Sequence, residues 1–164
     1  MAAYIKFEGI DGESKEVAHE KWSDLFSFTQ VISKPGSGTG ATRRRGDVVL
    51  DDLMCTKPID MASPIIAKSV CNGKVFGTVK IHVTASYTNN ARETYFSYEL
   101  KNVQVVKYTL SGNGQSEEVP VEEFQLNFEE ITVVYSKTDA AGSCLLYTSD
   151  DADEGLGVDL GGRR

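Results

Sequence analysis

Six glutamates are the residues of this chain whose type and spacing best suit catalysis, because two nearby carboxylates can act as general acid and as general base or nucleophile. They form three adjacent pairs: Glu117 with Glu118, Glu122 with Glu123, and Glu129 with Glu130. Neighbouring residues of a strand point to opposite faces of a sheet, which keeps such a pair from converging on one substrate. Solvated strand edges and hairpin ends therefore explain these glutamates better than an active site.

The histidines and cysteines form no catalytic or metal-binding pattern in the sequence. His19 and His82 are far apart, and His82 stands among polar residues of a predicted strand, so we expect both rings on the surface. Cys55, Cys71 and Cys144 are odd in number and widely spaced, which favours neither a disulfide framework nor a zinc site. Cys71 has no basic neighbour that would activate it, and is predicted to be a small core residue. We therefore expect no catalytic residue, no metal and no cofactor.

A glycine-rich segment, residues 36–41, superficially resembles a phosphate-binding loop. Such a loop needs a helix N-terminus after it, whereas a strand-like run at residues 47–50 follows here and no Lys-Ser/Thr pair closes the motif. Residues 34–46 are therefore predicted to be a flexible loop. Its basic residues Arg43, Arg44 and Arg45 are either a solvated charge run or a contact for an acidic copy of the same protein.

Length and charge exclude several classes of partner. The formal net charge of −7 over 164 residues argues against a nucleic-acid partner, which needs a basic face. No apolar run approaches the ~20 residues of a membrane span, so we expect no membrane insertion. The first residues lack a basic region followed by an apolar run, so no ordinary secretory signal is expected.

The clearest structural pattern is a helix that runs into a strand over residues 60–87. Ser63 suits the N-cap and Pro64 the first helical position, and Gly73 is expected to end the helix in a left-handed turn. The predicted apolar stripe of this helix is Ile66, Ala67, Val70 and Cys71. From Val75 to Tyr87 the period changes to two, with the inner face predicted as Val75, Val79, Ile81, Val83, Ala85 and Tyr87.

The rest of the chain reads as strands with hairpin-sized gaps. The predicted strands are residues 3–7, 22–33, 47–53, 93–100 and 103–110, followed by an extended run at 124–135 with a bend or bulge at 129–130. About eight strands against one helix predict an antiparallel sandwich or closed barrel, a mainly β fold.

Residues 144–164 differ from the rest in composition, with an acidic, glycine-rich run that has neither helical nor strand periodicity. The sequence that begins at Cys144 resembles peptides produced when sequencing-adapter DNA is translated. We therefore predict one domain over residues 1–143 and a non-native or disordered C-terminal tail over residues 144–164.

The order of several short motifs resembles the Hcp family, the tube protein of bacterial type VI secretion systems. The motifs are residues 12–15 with His19, residues 33–37, residues 51–53 with Thr56 and Lys57, residues 60–64, residues 71–74 and residues 126–128. Three features depart from the family pattern. The arginines stand in a loop that is usually mostly glycine, phenylalanines replace common tryptophans in the second strand, and a tryptophan-containing C-terminal segment is missing.

The resemblance implies a compact antiparallel β-barrel of two sheets with one short flanking α-helix. It also implies a structural role and no enzymatic activity: six copies form a ring, and stacked rings form a hollow tube. The implied partners are further copies of the chain, effectors carried by the tube, and the spike and sheath proteins. The tube would assemble in the bacterial cytoplasm and then be secreted to the extracellular space or a target cell.

The resemblance also suggests which residues would meet other molecules. Ser27 and Thr29 are predicted to face the lumen of the ring. Ile65, the one apolar residue on the polar side of the helix, is predicted to lie at a subunit interface. The loop with Lys34, Arg43, Arg44 and Arg45 is predicted to reach a stacked ring and meet acids such as Asp51 or Glu118.

Two alternatives stay open at this stage. The chain could be a monomeric β-barrel that binds or transforms a small ligand, which would require an enclosed apolar cavity with a few polar groups. The ring could also act chiefly as a carrier for a small effector.

Overall fold

Strands are the main secondary structure of the described residues. The computed structural model describes residues 1–37, 44–45, 47–86, 92–138 and 144–151. The strands in these residues are β1 (Ala2–Phe7), β2 (Ser23–Leu25), β3 (Ser27–Thr29), β4 (Ile32–Ser33), β5 (Gly36–Ser37), β6 (Arg44–Arg45), β7 (Val49–Leu50), β8 (Leu53–Pro58), β9 (Val75–Ser86), β10 (Arg92–Ser111), β11 (Val121–Asn127), β12 (Glu130–Thr138) and β13 (Cys144–Asp151). The α-helix, α1, is Ser63–Asn72, and a 3-10 helix is Val17–His19.

Nine of these strands form one antiparallel sheet that closes on itself. The order along it is β2-β1-β9-β10-β11-β8-β3, with β12 on β10 and β13 on β12. Only Phe26 separates β2 from β3, and its N–H donates to the carbonyl of Thr56 in β8 at 2.8 Å. Because β2 pairs with β1 and β3 pairs with β8, this one extended segment joins the two ends of the sheet into a barrel. The predicted antiparallel β-barrel with one flanking helix is confirmed.

The barrel interior is filled by apolar side chains. Phe7 lies at its centre, with ring centroids 5.2 Å from Phe76 and 5.9 Å from Phe124. Helix α1 contacts β10, and Ile66 of the helix and its N-cap Ala62 belong to the same core. Close packing of this kind leaves the outer surface of the barrel as the place where function must be sought.

Strand β10 is one strand of 20 residues where the sequence predicted two. It pairs with β12 up to Lys101 and with β11 from Gln104 onward. Between these two partners Asn102 takes a left-handed φ of 51°, opposite Gly77 of β9. A residue with a left-handed φ changes the direction of the strand. One part of β10 therefore pairs with β11 in the barrel, and the other part pairs with β12, which is followed by β13.

The same bend explains an error in the predicted faces of β9. In β9 the predicted inner residues Val79, Ile81 and Val83 are buried, but Val75 is 56% exposed and Phe76 only 2%. The faces exchange at Gly77, where a Cβ would collide with the Glu8 carboxylate. The bend predicted at residues 129–130 is confirmed: β11 ends at Asn127, residue 129 is a bend, and β12 begins at Glu130. The last residue of the predicted strand, Tyr87, lies outside the described residues.

Helix α1 begins and ends close to where the sequence predicted. Its N-cap is Ala62 rather than Ser63, and the Ala62 N–H donates to Asp60 Oδ1 at 2.9 Å. Gly73 ends the helix with a φ of 66°, and its N–H donates to the Ser69 carbonyl. The predicted apolar stripe was wrong at one edge, since Cys71 is exposed and Ser69 is buried.

A buried ion cluster ties α1 to the barrel. Lys57 Nζ lies 2.7 Å from Glu122 Oε1 and 2.7 Å from Asp60 Oδ1, and it donates to the Pro58 carbonyl at 3.0 Å. Tyr108 Oη donates to Glu122 Oε2 at 2.6 Å. Burial, together with this bond, raises the pKa of the Tyr108 phenol, so the phenol keeps its proton and remains a donor. Glu122 is therefore a fully buried structural residue, and its predicted solvated position was wrong.

We expect Lys57→Met to lower the free energy of unfolding by about 3–5 kcal/mol, because it leaves two buried carboxylates without a cation. Urea unfolding at pH 7 and one protein concentration measures this loss. Lys80→Met is the matched control, since Lys80 pairs at 3.4 Å with Glu99 and both side chains are exposed. The control should cost less than about 1 kcal/mol, and an equal loss in both variants would contradict the role of the cluster.

Candidate assembly surfaces

The predicted lumen residues lie on a short strand at the outer surface of the barrel. Ser27 and Thr29 are both exposed on β3, where they pair with Thr56 and Met54 of β8. Two short polar side chains on the same face of one strand give a smooth, wettable surface. Their position toward a lumen stays a prediction.

A β-arm follows β3, and its described residues are 31–37, 44–45 and 47–50. Its strands β4 and β7 pair with each other, and so do β5 and β6, so the predicted flexible loop is in part a ladder. The Asp51 N–H donates to the Val31 carbonyl at 3.0 Å, which fixes the base of the arm next to the barrel. The predicted stacking residues are distributed along this arm. Lys34 is exposed, Arg44 and Arg45 form β6, and Arg43 lies outside the described residues.

The base of the β-arm is apolar and exposed to solvent. Its exposed side chains are Val31, Ile32, Val49 and Leu50. Ile32 and Leu50 are paired across β4 and β7, Val49 is the other residue of β7, and Val31 directly precedes β4, so these exposed apolar side chains are grouped rather than isolated.

A second exposed apolar region lies at the start of α1. Ile65, the predicted interface residue, is 43% exposed on the first helical turn. Ile59, Met61 and Val119 are exposed near it, and the Ile59 N–H donates to the Pro120 carbonyl at 3.1 Å. This bond brings the segment before α1 beside the loop before β11, where Glu117 and Glu118 are exposed.

The two histidines form a packed pair, and the prediction that both lie on the surface was wrong. His19 Nε2 lies 3.0 Å from His82 Nδ1, the Tyr4 ring stacks on His19 with centroids 4.4 Å apart, and Trp22 lies 4.4 Å from His82. Burial lowers the pKa of His19, and burial together with the neighbouring charges of His19 and Lys80 lowers the pKa of His82 to about 4. One nitrogen of the pair must donate and the other accept, so the neutral rings suit packing rather than proton transfer at neutral pH.

An open groove of about 410 Å³ lies on the outer face of β1, β9 and β10. It is lined by Lys6, Glu8, Trp22, Thr78, Lys80 and Glu99. Lys6 Nζ donates to the Ile10 carbonyl at 2.7 Å and to Asp11 Oδ1 at 2.8 Å, so its charge is already neutralised within the chain. Among the described residues, no three His, Cys, Asp or Glu side chains lie together to hold a metal ion. In the same residues, no helix is both long and apolar enough to cross a membrane.

We expect the protein to lose stability as the pH falls from about 6.5 to about 4, because an unfolded chain takes up a proton on His82 that the folded chain resists. His82→Gln should remove part of this loss, about 1–2 kcal/mol after allowance for the partly exposed ring. Urea midpoints at pH 7.0, 5.5 and 4.5 measure the effect. Identical pH profiles for the variant and the parent protein would contradict it.

Comparisons with known proteins agree on one family. The family model described as "Type VI secretion system effector, Hcp" matches residues 4–135. Among curated protein sequences, none matches this chain.

Solved structures share the fold over nearly the whole chain. A type six secretion system protein superposes with a TM-score of 0.82 at 24% identity, covering 91% of this chain and 93% of that one. A type VI secretion system effector from Yersinia pestis gives 0.71 at 19% identity, covering 91% and 99%. Hcp1 from Salmonella typhimurium gives 0.67 at 20% identity, covering 91% and 93%.

At identities this low, the superpositions show that the fold is shared. The family model adds a match of sequence over most of the chain. The barrel, its flanking helix and the matched residues therefore support one conclusion: this chain belongs to the Hcp family of type VI secretion system effectors.

Proposed function

We propose that this protein is a structural subunit of the hexameric-ring inner tube of a bacterial type VI secretion system. The observation that carries the proposal is the combination of a side-chain-filled barrel with two exposed apolar regions at different places on its surface. Exposed apolar regions do not stabilise a monomer, but they can be buried in a contact between subunits. A head-to-tail contact between unlike surfaces forms a closed ring when the rotation that relates neighbouring subunits divides a full turn evenly.

In this proposal the polar strand β3 faces the inside of the ring. Ser27 and Thr29 would present hydroxyl groups to a water-filled lumen, and Ile65 would be covered by a neighbouring subunit. A lumen lined by small polar side chains lets a folded cargo pass without adhering to the wall.

The partners in this proposal follow from the tube role. They are other copies of the chain, the effectors that the tube carries or exports, and the sheath and spike proteins that drive and lead it. The subunit would assemble in the bacterial cytoplasm and leave the cell through the type VI system, to reach the extracellular space or a target cell.

The alternative, a monomeric barrel that binds or transforms a small ligand, has less support. It requires an enclosed apolar cavity, whereas the groove beside β1, β9 and β10 is open and carries two lysines and two glutamates. Cys55 is buried in the core, where burial raises the pKa of its thiol and disfavours the reactive thiolate. The Hcp family itself is a family of tube proteins and not of enzymes.

We expect native mass spectrometry at micromolar concentration to show a hexamer, because the proposed role depends on ring closure. Ile65→Asp should shift the population toward smaller species, since a charge would be buried at the interface. Lys68→Asp, on the exposed side of the same helix, is the matched control and should leave the hexamer intact. A parent protein that stays monomeric would count against the whole proposal.

A second prediction concerns the contact between rings. Changing Arg43, Arg44 and Arg45 together to Glu should leave the hexamer intact but shorten stacks of rings, because the β-arm would no longer attract an acidic surface. Negative-stain microscopy of the variant and the parent protein measures the length of the stacks. Unchanged stacks would remove this role from the arginines.

A further inference from the structure

The chain between β1 and β2 covers part of the outer face of the barrel, and we call its residues 11–22 the strap. Two backbone bonds close the strap: the Gly12 N–H donates to the Lys21 carbonyl and the Ser14 N–H to the Trp22 carbonyl, each at 2.8 Å. No residue of the strap belongs to the hydrophobic core of the barrel. A short loop with two backbone bonds is not stable alone, so its conformation depends on the side chains that attach it to the barrel.

Aromatic side chains attach the strap to the barrel wall. The His19 ring stacks on Tyr4 of β1, and His19 Nε2 lies 3.0 Å from Nδ1 of His82 in β9. The Trp22 ring packs edge-on against His19 and lies 4.4 Å from the His82 ring. Tyr4 and His82 are opposite each other in the register of β1 and β9. The histidine pair is therefore at the centre of the contact between the strap and the barrel.

This pair has no place for an additional proton. In the neutral pair, one of the two facing nitrogens donates and the other accepts. If His82 takes up a proton, its Nδ1 must donate to His19 Nε2, and the hydrogen of the neutral His19 ring is then on Nδ1. If His19 takes up the proton instead, its Nδ1 carries a hydrogen as well. His19 Nδ1 is buried without a hydrogen-bond partner among the described residues, so either charged form leaves a buried donor unpaired.

A carboxylate and a guanidinium lie at the outer edge of the pair. Arg92 of β10 donates from Nη1 to Tyr4 Oη at 2.8 Å, and the same nitrogen lies 3.5 Å from Glu16 Oε2 of the strap. The negative charge of Glu16 favours a charged His19, but burial has the larger effect and lowers the pKa of His19. The other charged residues of the strap are exposed: Asp11, Glu13, Lys15, Glu20 and Lys21.

Two lysines of the barrel wall complete the surroundings of the pair. Lys80 of β9 adds positive charge next to His82 and pairs with Glu99 of β10 at 3.4 Å. Lys6 of β1 donates to Asp11 Oδ1 at 2.8 Å and to the Lys21 carbonyl at 2.9 Å, so it also holds the strap. Lysines keep their charge over the whole range in which histidines titrate, so these contacts do not change there.

We infer that the strap is a pH-sensitive cover, which separates from the outer face of β1 and β9 when the histidine pair takes up a proton. The barrel stays folded in this open state, because its core contains no residue of the strap. Opening uncovers Tyr4, which is 3% exposed, and removes Trp22 from the groove beside β1, β9 and β10. The change takes place within one subunit, so a result against it would leave the tube role untouched.

The direction of the pH effect follows from His82. Burial, with the charges of His19 and Lys80, lowers its pKa from 6.5 to about 4, and a ring freed by opening regains the ordinary value. Above pH 6.5 the ring is neutral in both states, so proton uptake does not favour opening. Between pH 6.5 and pH 4 the open state binds a proton that the closed state resists, so the strap opens more readily as the pH falls.

Hydrogen exchange of the whole chain tests this opening. From pH 7.5 to pH 5.5 the protection factors of Gly12, Ser14 and Trp22, corrected for intrinsic exchange, should fall about tenfold. They should also lie at least about a hundredfold below those of Ile81 and Val83 in β9, whose amides exchange only when the barrel unfolds. Strap protection that does not change with pH would overturn the inference, and so would strap protection equal to that of β9.

Two variants separate the histidine pair from the other attachments of the strap. His19→Gln with His82→Gln removes both titrating rings, so strap protection should change less than about twofold between the two pH values. Loss of strap protection at both pH values in this variant would show that the pair holds the strap closed. A variant that keeps the tenfold change would overturn the inference.

Asp11→Asn is the matched control, because it removes a charged contact of the same strap without touching the histidines. The bond from Lys6 holds the pKa of Asp11 below its ordinary value, so this carboxylate does not titrate between pH 7.5 and pH 5.5. The control should keep the tenfold change. A control that loses it would assign the pH dependence to the Lys6 contact and overturn the inference.

Discussion

The pairing of Lys57 with Glu122 inside the barrel is the interaction on which the rest of the structure depends. It joins β8 to β11, and through Asp60 it also holds the segment that begins α1. Charges taken out of water are costly unless they are paired, so Lys57, Glu122 and Asp60 must keep their contacts in the folded protein. The end of β8, the start of the helix and the loop before β11 are thereby held together.

That arrangement also fixes the positions of the exposed regions on the surface of the protein. The same strand that carries Lys57 has the β-arm beyond its Leu53 end and the exposed apolar region at the start of α1 beyond its Pro58 end. Rigidity of the barrel keeps the relative orientation of these two exposed regions fixed. A barrel filled by Phe7, Phe76 and Phe124 supplies that rigidity, since packed interiors resist deformation.

Much of the secondary structure could be predicted from the local pattern of apolar, polar and glycine residues. The alternation through Val79, Ile81 and Val83 predicted a strand with one buried face, and Gly73 predicted the end of the helix. The predictions failed where two segments distant in sequence meet. Gly77 and Asn102 lie opposite each other on paired strands, and the exchange of faces at Val75 and Phe76 follows from that shared bend. The exposure of Cys71 depends in the same way on how far α1 is rotated against β10, which no single helix reveals.

The sequence by itself determined the class of the protein: alternating strands with one capped helix, a net negative charge, and an order of motifs shared with the Hcp family. Only the tertiary structure decided which polar residues are internal. Glu122 and His82 look like solvent-facing residues of their strands, yet Lys57 lies against the first and His19 against the second, each more than sixty positions away along the chain. The position of a partner so distant is set by strand pairing and barrel closure, so local sequence cannot show whether a polar side chain is satisfied within the protein or by water.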